Sequence, residues 1–114
     1  MKRLDFILLL LLAFEIHADE VYQKDVLPVL QKHCFGCHGE KKHKGDLRLD
    51  TLDPDIIRGT SAERWHDALN KINLGEMPPE KEPPLTASER RTLTGWITQG
   101  LKAAADIRRN AGGQ

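Results

Sequence analysis

The chain has 114 residues, and its 17 Lys and Arg balance 17 Asp and Glu. That neutrality argues against nucleic acid as a partner, because phosphate binding needs an excess of basic residues. The length suits one small domain, and a domain of that size buries limited surface.

Lys2 and Arg3 open the chain, and residues 6–14 are apolar without a break. Ile16, His17 and Ala18 then give the branched–any–small pattern of a signal peptidase site. Residues 1–18 therefore read as a secretory signal peptide, and the protein as exported to the periplasm or another extracytoplasmic space. The apolar run is shorter than the roughly 20 residues that span a bilayer. An uncleaved anchor is the alternative, and only then would a membrane be a partner. Beyond residue 18 the aromatic residues are Tyr22, Phe35, Trp65 and Trp96 alone, so something else should help fill the core.

Residues 19–32 read as a first helix, with Val21, Val26, Leu27 and Leu30 at partly helical spacing. Pro28 should kink or restart it. The helix delivers the chain into H-C-F-G-C-H, residues 33–38, which holds the only two cysteines. A disulfide between Cys34 and Cys37 would close a tiny loop and constrain the unfolded chain little. A thioredoxin-like redox motif would sit near a βαβ pattern, and no run of β-branched strands accompanies it. Zinc would need further ligands, from His38 with His43 or His66. The remaining reading is C-x-x-C-H, the attachment site of one covalent haem c. Two thiols so spaced reach the two vinyl groups on one porphyrin edge. His38 then offers an imidazole nitrogen to the iron as proximal ligand. The porphyrin is also the apolar body that the core lacks.

Residues 39–45 form a basic turn. With Lys32, its Lys41, Lys42 and Lys44 suggest a docking patch for an acidic redox partner, the alternative being a solvated loop. In residues 46–51, Leu47 and Leu49 alternate with Asp46, Arg48 and Asp50, which suits an extended segment with its leucines toward the haem edge. Arg48 is either a haem propionate partner or a solvated side chain. Asp53-Pro54 opens a short turn or helix over residues 55–58, ended by Gly59.

Thr60 and Glu63 have capping-box spacing, predicting a helix over residues 61–73 with Trp65, Leu69 and Ile72 inward. Trp65 is either core packing or a ring N–H donor to a haem propionate. Gly75 stops this helix. Met77 follows in G-E-M-P-P-E, where Pro78 and Pro79 limit the loop's freedom. A thioether on a restrained loop suits the distal iron ligand, and Met with His is the usual pair in cytochromes c. The alternative for Met77 is a gap-filling core residue. His33, His43 and His66 are the rival ligands. Thr86 and Glu89 form a second capping box, opening a helix over residues 87–108 with Leu93, Trp96, Ile97 and Leu101 inward. Trp96 should pack between the last and first helices. Residues 109–114 read as a disordered tail, so the folded domain runs over residues 19–108. With no convincing strand pairing, the class is all-α.

The order V-L-P-V-L-Q-K-H-C-F-G-C-H-G, L-R-L-D-T, G-E-M-P-P-E and E-R-R-T-L-T-G-W-I resembles the planctomycete-type cytochrome c domain, over roughly residues 21–101. The resemblance implies a small class I cytochrome c fold with haem attached at Cys34 and Cys37, His38 proximal and Met77 distal. In that family the domain often opens a much longer chain. The expected function is an exported monohaem carrier of single electrons, not an enzyme, with no catalytic acid, base or nucleophile. The alternative is a haem-based ligand sensor or peroxidase-like subunit, which needs an open or labile distal position. A third reading is a haem-free interaction module built on a disulfide or zinc.

Overall fold

The computed structural model describes residues 20–112. The expected signal peptide at residues 1–18 lies outside these residues, as do residue 19 and the last two of the expected tail. The described chain is helical: α1 (Leu27–His33), α2 (Ala62–Asn73) and α3 (Ala87–Gly112), with a π-helical turn, Tyr22–Val26, leading into α1 and a 3₁₀ turn, Lys44–Asp46, in the first long connection. Among the described residues the fold is all-α.

Pro28 explains the opening. It has no N–H to donate and its ring needs space from the preceding turn, so it is best placed at the start of a helix. The chain widens just before it: the N–H of Leu27 donates to the carbonyl of Tyr22, five residues back. The helix then restarts with Pro28 in its first turn, as the sequence predicts.

α3, the longest helix among the described residues, supplies Leu93, Ile97 and Ala104 to the core. Val26, Val29 and Leu30 pack from the first segment, Trp65 and Ile72 from α2, and Leu49 and Ile56 from the connection between them. Trp65, Leu30, Leu93, Ile97 and Val26 are fully buried. Trp96 packs between the last helix and the first segment, its ring centroid 5.2 Å from that of Tyr22. It also meets Trp65 edge-on at 5.0 Å, a favourable arrangement of two ring quadrupoles.

Two expectations need correction. The Thr60–Glu63 capping box does not form: α2 starts at Ala62, its N-cap is Ser61, and no side chain caps it. The hydroxyl of Ser61 instead donates to the carbonyl of Asp53 at 2.7 Å. The leucines of residues 46–51 do turn inward, Leu49 buried and Leu47 packed against the core. Residues 109–112, expected in a disordered tail, continue α3. Residues 55–58 form a turn, one of the two forms expected, with the Asp55 N–H donating to Oδ1 of Asp53 at 2.9 Å. Among the described residues no helix is long and apolar enough to cross a membrane.

Candidate haem site

The C-x-x-C-H motif is a folded turn at the end of α1. The amides of Cys34 and Phe35 both donate to the carbonyl of Leu30, at 2.9 and 3.0 Å, and those of Cys37 and His38 to the carbonyl of Cys34, at 3.2 and 2.9 Å. Gly39 closes the turn against its own backbone. A Cβ there would lie 2.4 Å from the carbonyl oxygen of Phe35, so only glycine fits. The basic loop then folds back: the Gly39 amide donates to Lys42, and the Lys44 amide to Cys37 at 3.0 Å. His43 pairs with His38 in an isolated bridge and donates from Nδ1 to the carbonyl of Gly39. The Leu49 amide donates to the carbonyl of His38 at 2.8 Å, which brings the leucine segment alongside the motif.

Both cysteines are free thiols, each half-buried. Burial, with a smaller contribution from the neighbouring Cys37, pushes the Cys34 thiol up to about 11, so at neutral pH it is uncharged. Nδ1 of His38 is buried without a hydrogen-bond partner. A buried imidazole nitrogen left unpaired is costly, and a metal bond is one of the few ways to satisfy it. Two unbridged thiols, with an imidazole next in sequence and an unpaired nitrogen on it, fit a covalently held haem. Among the described residues no group of three or more His, Cys, Asp or Glu side chains is placed to hold a metal ion, so Cys34, Cys37, His38, His43 and His66 do not assemble a zinc site.

Met77 is placed by the end of α2. Gly75, in the left-handed region with φ of 76°, donates to Ile72 at 3.1 Å, and Glu76 donates to Lys71 at 2.9 Å. These are the two bonds of a Schellman motif, in which glycine takes the conformation other residues resist. The Met77 amide also donates to Lys71, at 3.2 Å. Its half-buried side chain is thus carried on a turn whose backbone bonds are already made. Arg90, from α3, donates from Nη1 to the carbonyl of Ile72 at 2.9 Å.

The two expected propionate contacts have other partners in the chain. Trp65 is fully buried and its ring N–H donates to the carbonyl of Asp53 at 2.8 Å. Arg48 pairs with Asp50 through two bonds, Nε to Oδ1 at 3.1 Å and Nη2 to Oδ2 at 2.6 Å. That pairing holds the Asp50 carboxyl below its ordinary range and raises Arg48. Among the rival histidines, the His33 side chain is almost fully buried and its Nε2 faces the carboxylate of Glu89, at 3.1 and 3.2 Å. His66 is exposed on α2.

A surface hollow of about 310 Å³ lies beside the motif, lined by Phe35, Gly36, Gly39, Glu40, Lys41 and Asp50. Neither His38 nor Met77 lines it, so it flanks the attachment turn and is not the space between the two candidate ligands.

Asp53, Arg90 and Glu89 are the residues that sequence reasoning missed in these supporting roles. Asp53 alone left a signal, as an Asx-turn residue before Pro54. The other two act across the fold and leave no local one.

Residues 34–81 match the family described as Planctomycete cytochrome C. No curated protein and no solved structure matches the chain. The match begins at the first thiol of the attachment turn and ends just past the methionine loop. With its helical fold, its free thiol pair and its unpaired His38 nitrogen, the chain is similar over these residues to the planctomycete-type cytochrome c domain, a module whose family cofactor is covalently bound haem.

Proposed function

We propose that the protein is an exported c-type cytochrome that holds one haem and carries single electrons. Cys34 and Cys37 would anchor the porphyrin, His38 would be the proximal iron ligand and Met77 the distal one. The observation that carries this reading is the attachment turn, with two unbridged thiols and an adjacent imidazole whose buried nitrogen lacks a partner.

The bound haem supplies a one-electron iron couple, and the chain supplies attachment, ligation and an apolar shell. Each thiol would add across one vinyl group, sulfur to one carbon and hydrogen to the next, without an oxidant. The turn holds Cys34, Cys37 and His38 together by backbone bonds, the amides of Cys37 and His38 both donating to the Cys34 carbonyl. The Schellman turn at Gly75 holds the Met77 backbone before any ligand bond forms, which lowers the ordering cost of ligation. A thioether opposite imidazole favours the reduced iron and raises the potential. In this reading the protein carries electrons and no side chain is assigned a catalytic role.

Export rests on the basic, apolar and small-residue pattern of residues 1–18. For a partner, the exposed Lys41, Lys42 and Lys44 on the loop folded against the motif suit an acidic docking surface. Lys32 stands near them in sequence, 66% exposed and 3.9 Å from Glu89. Such a patch would mainly speed encounter, and the rate would fall with salt. A rate of electron transfer insensitive to salt, and unchanged by Lys41→Glu with Lys42→Glu, would reject the patch.

The ligation is tested by spectroscopy of the exported protein. The oxidised form should show a sulfur-to-iron charge-transfer band, and the reduced form should bind carbon monoxide slowly or not at all. Met77→Ala should lose the band, lower the potential and open the iron to carbon monoxide. Rapid binding by the unaltered protein would favour a ligand sensor or peroxidase-like subunit. A band and potential untouched by Met77→Ala would remove Met77 from the iron.

A further inference from the structure

The first turn of α3 touches the ends of both other helices through two consecutive residues. Glu89 reaches α1, where its two carboxylate oxygens face Nε2 of His33 at 3.1 and 3.2 Å, with His33 immediately before Cys34. Arg90 reaches α2, donating from Nη1 to the carbonyl of Ile72 at 2.9 Å. That carbonyl also accepts the Gly75 amide, a bond of the turn that carries Met77. One helical turn therefore grips the arm that leads to Cys34 and His38 and the arm that leads to Met77.

The grip is rigid at its base. The Thr86 amide donates to Oε1 of Glu89 at 2.9 Å, and the Glu89 amide donates to Oγ1 of Thr86 at 3.0 Å, a complete capping box. Arg90 suits its position for a second reason. The last carbonyls of α2 carry partial negative charge, and a guanidinium there is favoured as well as hydrogen-bonded. The Lys71–Glu76 ion pair on the same turn cannot replace it, because both side chains are about half exposed and such pairs contribute little.

We propose that Glu89 and Arg90 form a clamp that sets the spacing of the attachment arm and the methionine arm, and so governs how readily an added ligand displaces Met77 from iron. Both are positioning residues. The proposal rests on the reading of Met77 as distal ligand and goes beyond it by naming what holds that ligand in place.

The test uses the exported holoprotein, titrated with imidazole in the oxidised form, with amide hydrogen exchange as a second readout. Arg90→Gln should bind imidazole about tenfold more tightly, the scale of one lost hydrogen bond from a charged donor. The amides of Glu76 and Met77 should exchange faster, and Arg90→Lys should recover part of both effects. Ala104→Gly weakens α3 away from the clamp and should leave both unchanged. Unaltered imidazole affinity and exchange in Arg90→Gln would overturn the clamp, as would equal changes in Ala104→Gly. A parent spectrum indifferent to Met77→Ala would overturn the ligation and the clamp's role with it. A spectrum that depends on Met77 but not on Arg90 would overturn the clamp alone.

Discussion

The indole N–H of Trp65 donates to the backbone carbonyl of Asp53 at 2.8 Å, twelve residues away. The same oxygen accepts the Ser61 hydroxyl at 2.7 Å. One carbonyl thus fixes the start of α2 and the orientation of the largest fully buried side chain. Trp65→Phe keeps most of the ring and removes the donor. It should cost about 1–2 kcal/mol in urea unfolding, the range for one buried hydrogen bond with some lost packing, and leave the potential unchanged. A clear shift in potential by voltammetry would mean that the indole acts on the haem after all.

Gly39→Ala should damage the attachment turn itself. The added Cβ would meet the Phe35 carbonyl at 2.4 Å, and backbone cannot yield as a flexible side chain does. The cost should be about 1–3 kcal/mol, the usual scale of overpacking. Haem stain that survives denaturing electrophoresis should fall relative to total protein. Full haem incorporation with unchanged stability would contradict the close approach.

Gly75→Ala tests the methionine turn. Gly75 has φ of 76°, where an L-residue with a Cβ is less stable by roughly 1–2 kcal/mol. The charge-transfer band of the oxidised protein should be lost at a lower temperature than in the parent, before global unfolding. Loss of band and fold together, at the parent's temperature, would show that Gly75 does not set the loop.

Acid sensitivity should pass through Glu89. The Thr86 amide is the main cause that holds its carboxyl below the ordinary range, and His33 adds to it. A depressed carboxylate contributes its stability above the ordinary carboxylate pKa and loses it as the pH falls through the folded value. Unfolding midpoints measured from neutral pH down to about pH 2 should therefore fall less steeply for Glu89→Gln than for the parent. Parallel curves would show that the contact carries no linkage.

What the sequence disclosed was local. Pro28, Gly75 and the Thr86–Glu89 box each act within a few residues, and each is realised where the spacing put it. Trp96 between the last helix and the first segment was legible from helical periodicity. The Thr60–Glu63 box was a false signal, because the Asx turn at Asp53 draws Ser61 inward and moves the cap by one residue. Residues 109–112 read as tail because chain termini are often poorly ordered, yet extending an existing helix needs no new nucleus. For Arg48 and Trp65, nearby chain atoms compete for the donors that a propionate would take. The contacts of Glu89 with His33 and of Arg90 with Ile72 join residues 56 and 18 apart, and no pattern in either segment announces its partner.

The most direct test is the intact mass of the protein after expression with export and haem-maturation machinery. The prediction is a chain lacking residues 1–18 and heavier by one haem, with neither Cys34 nor Cys37 open to alkylation. A colourless product at the bare polypeptide mass, its two thiols free or joined to each other, would contradict the central claim.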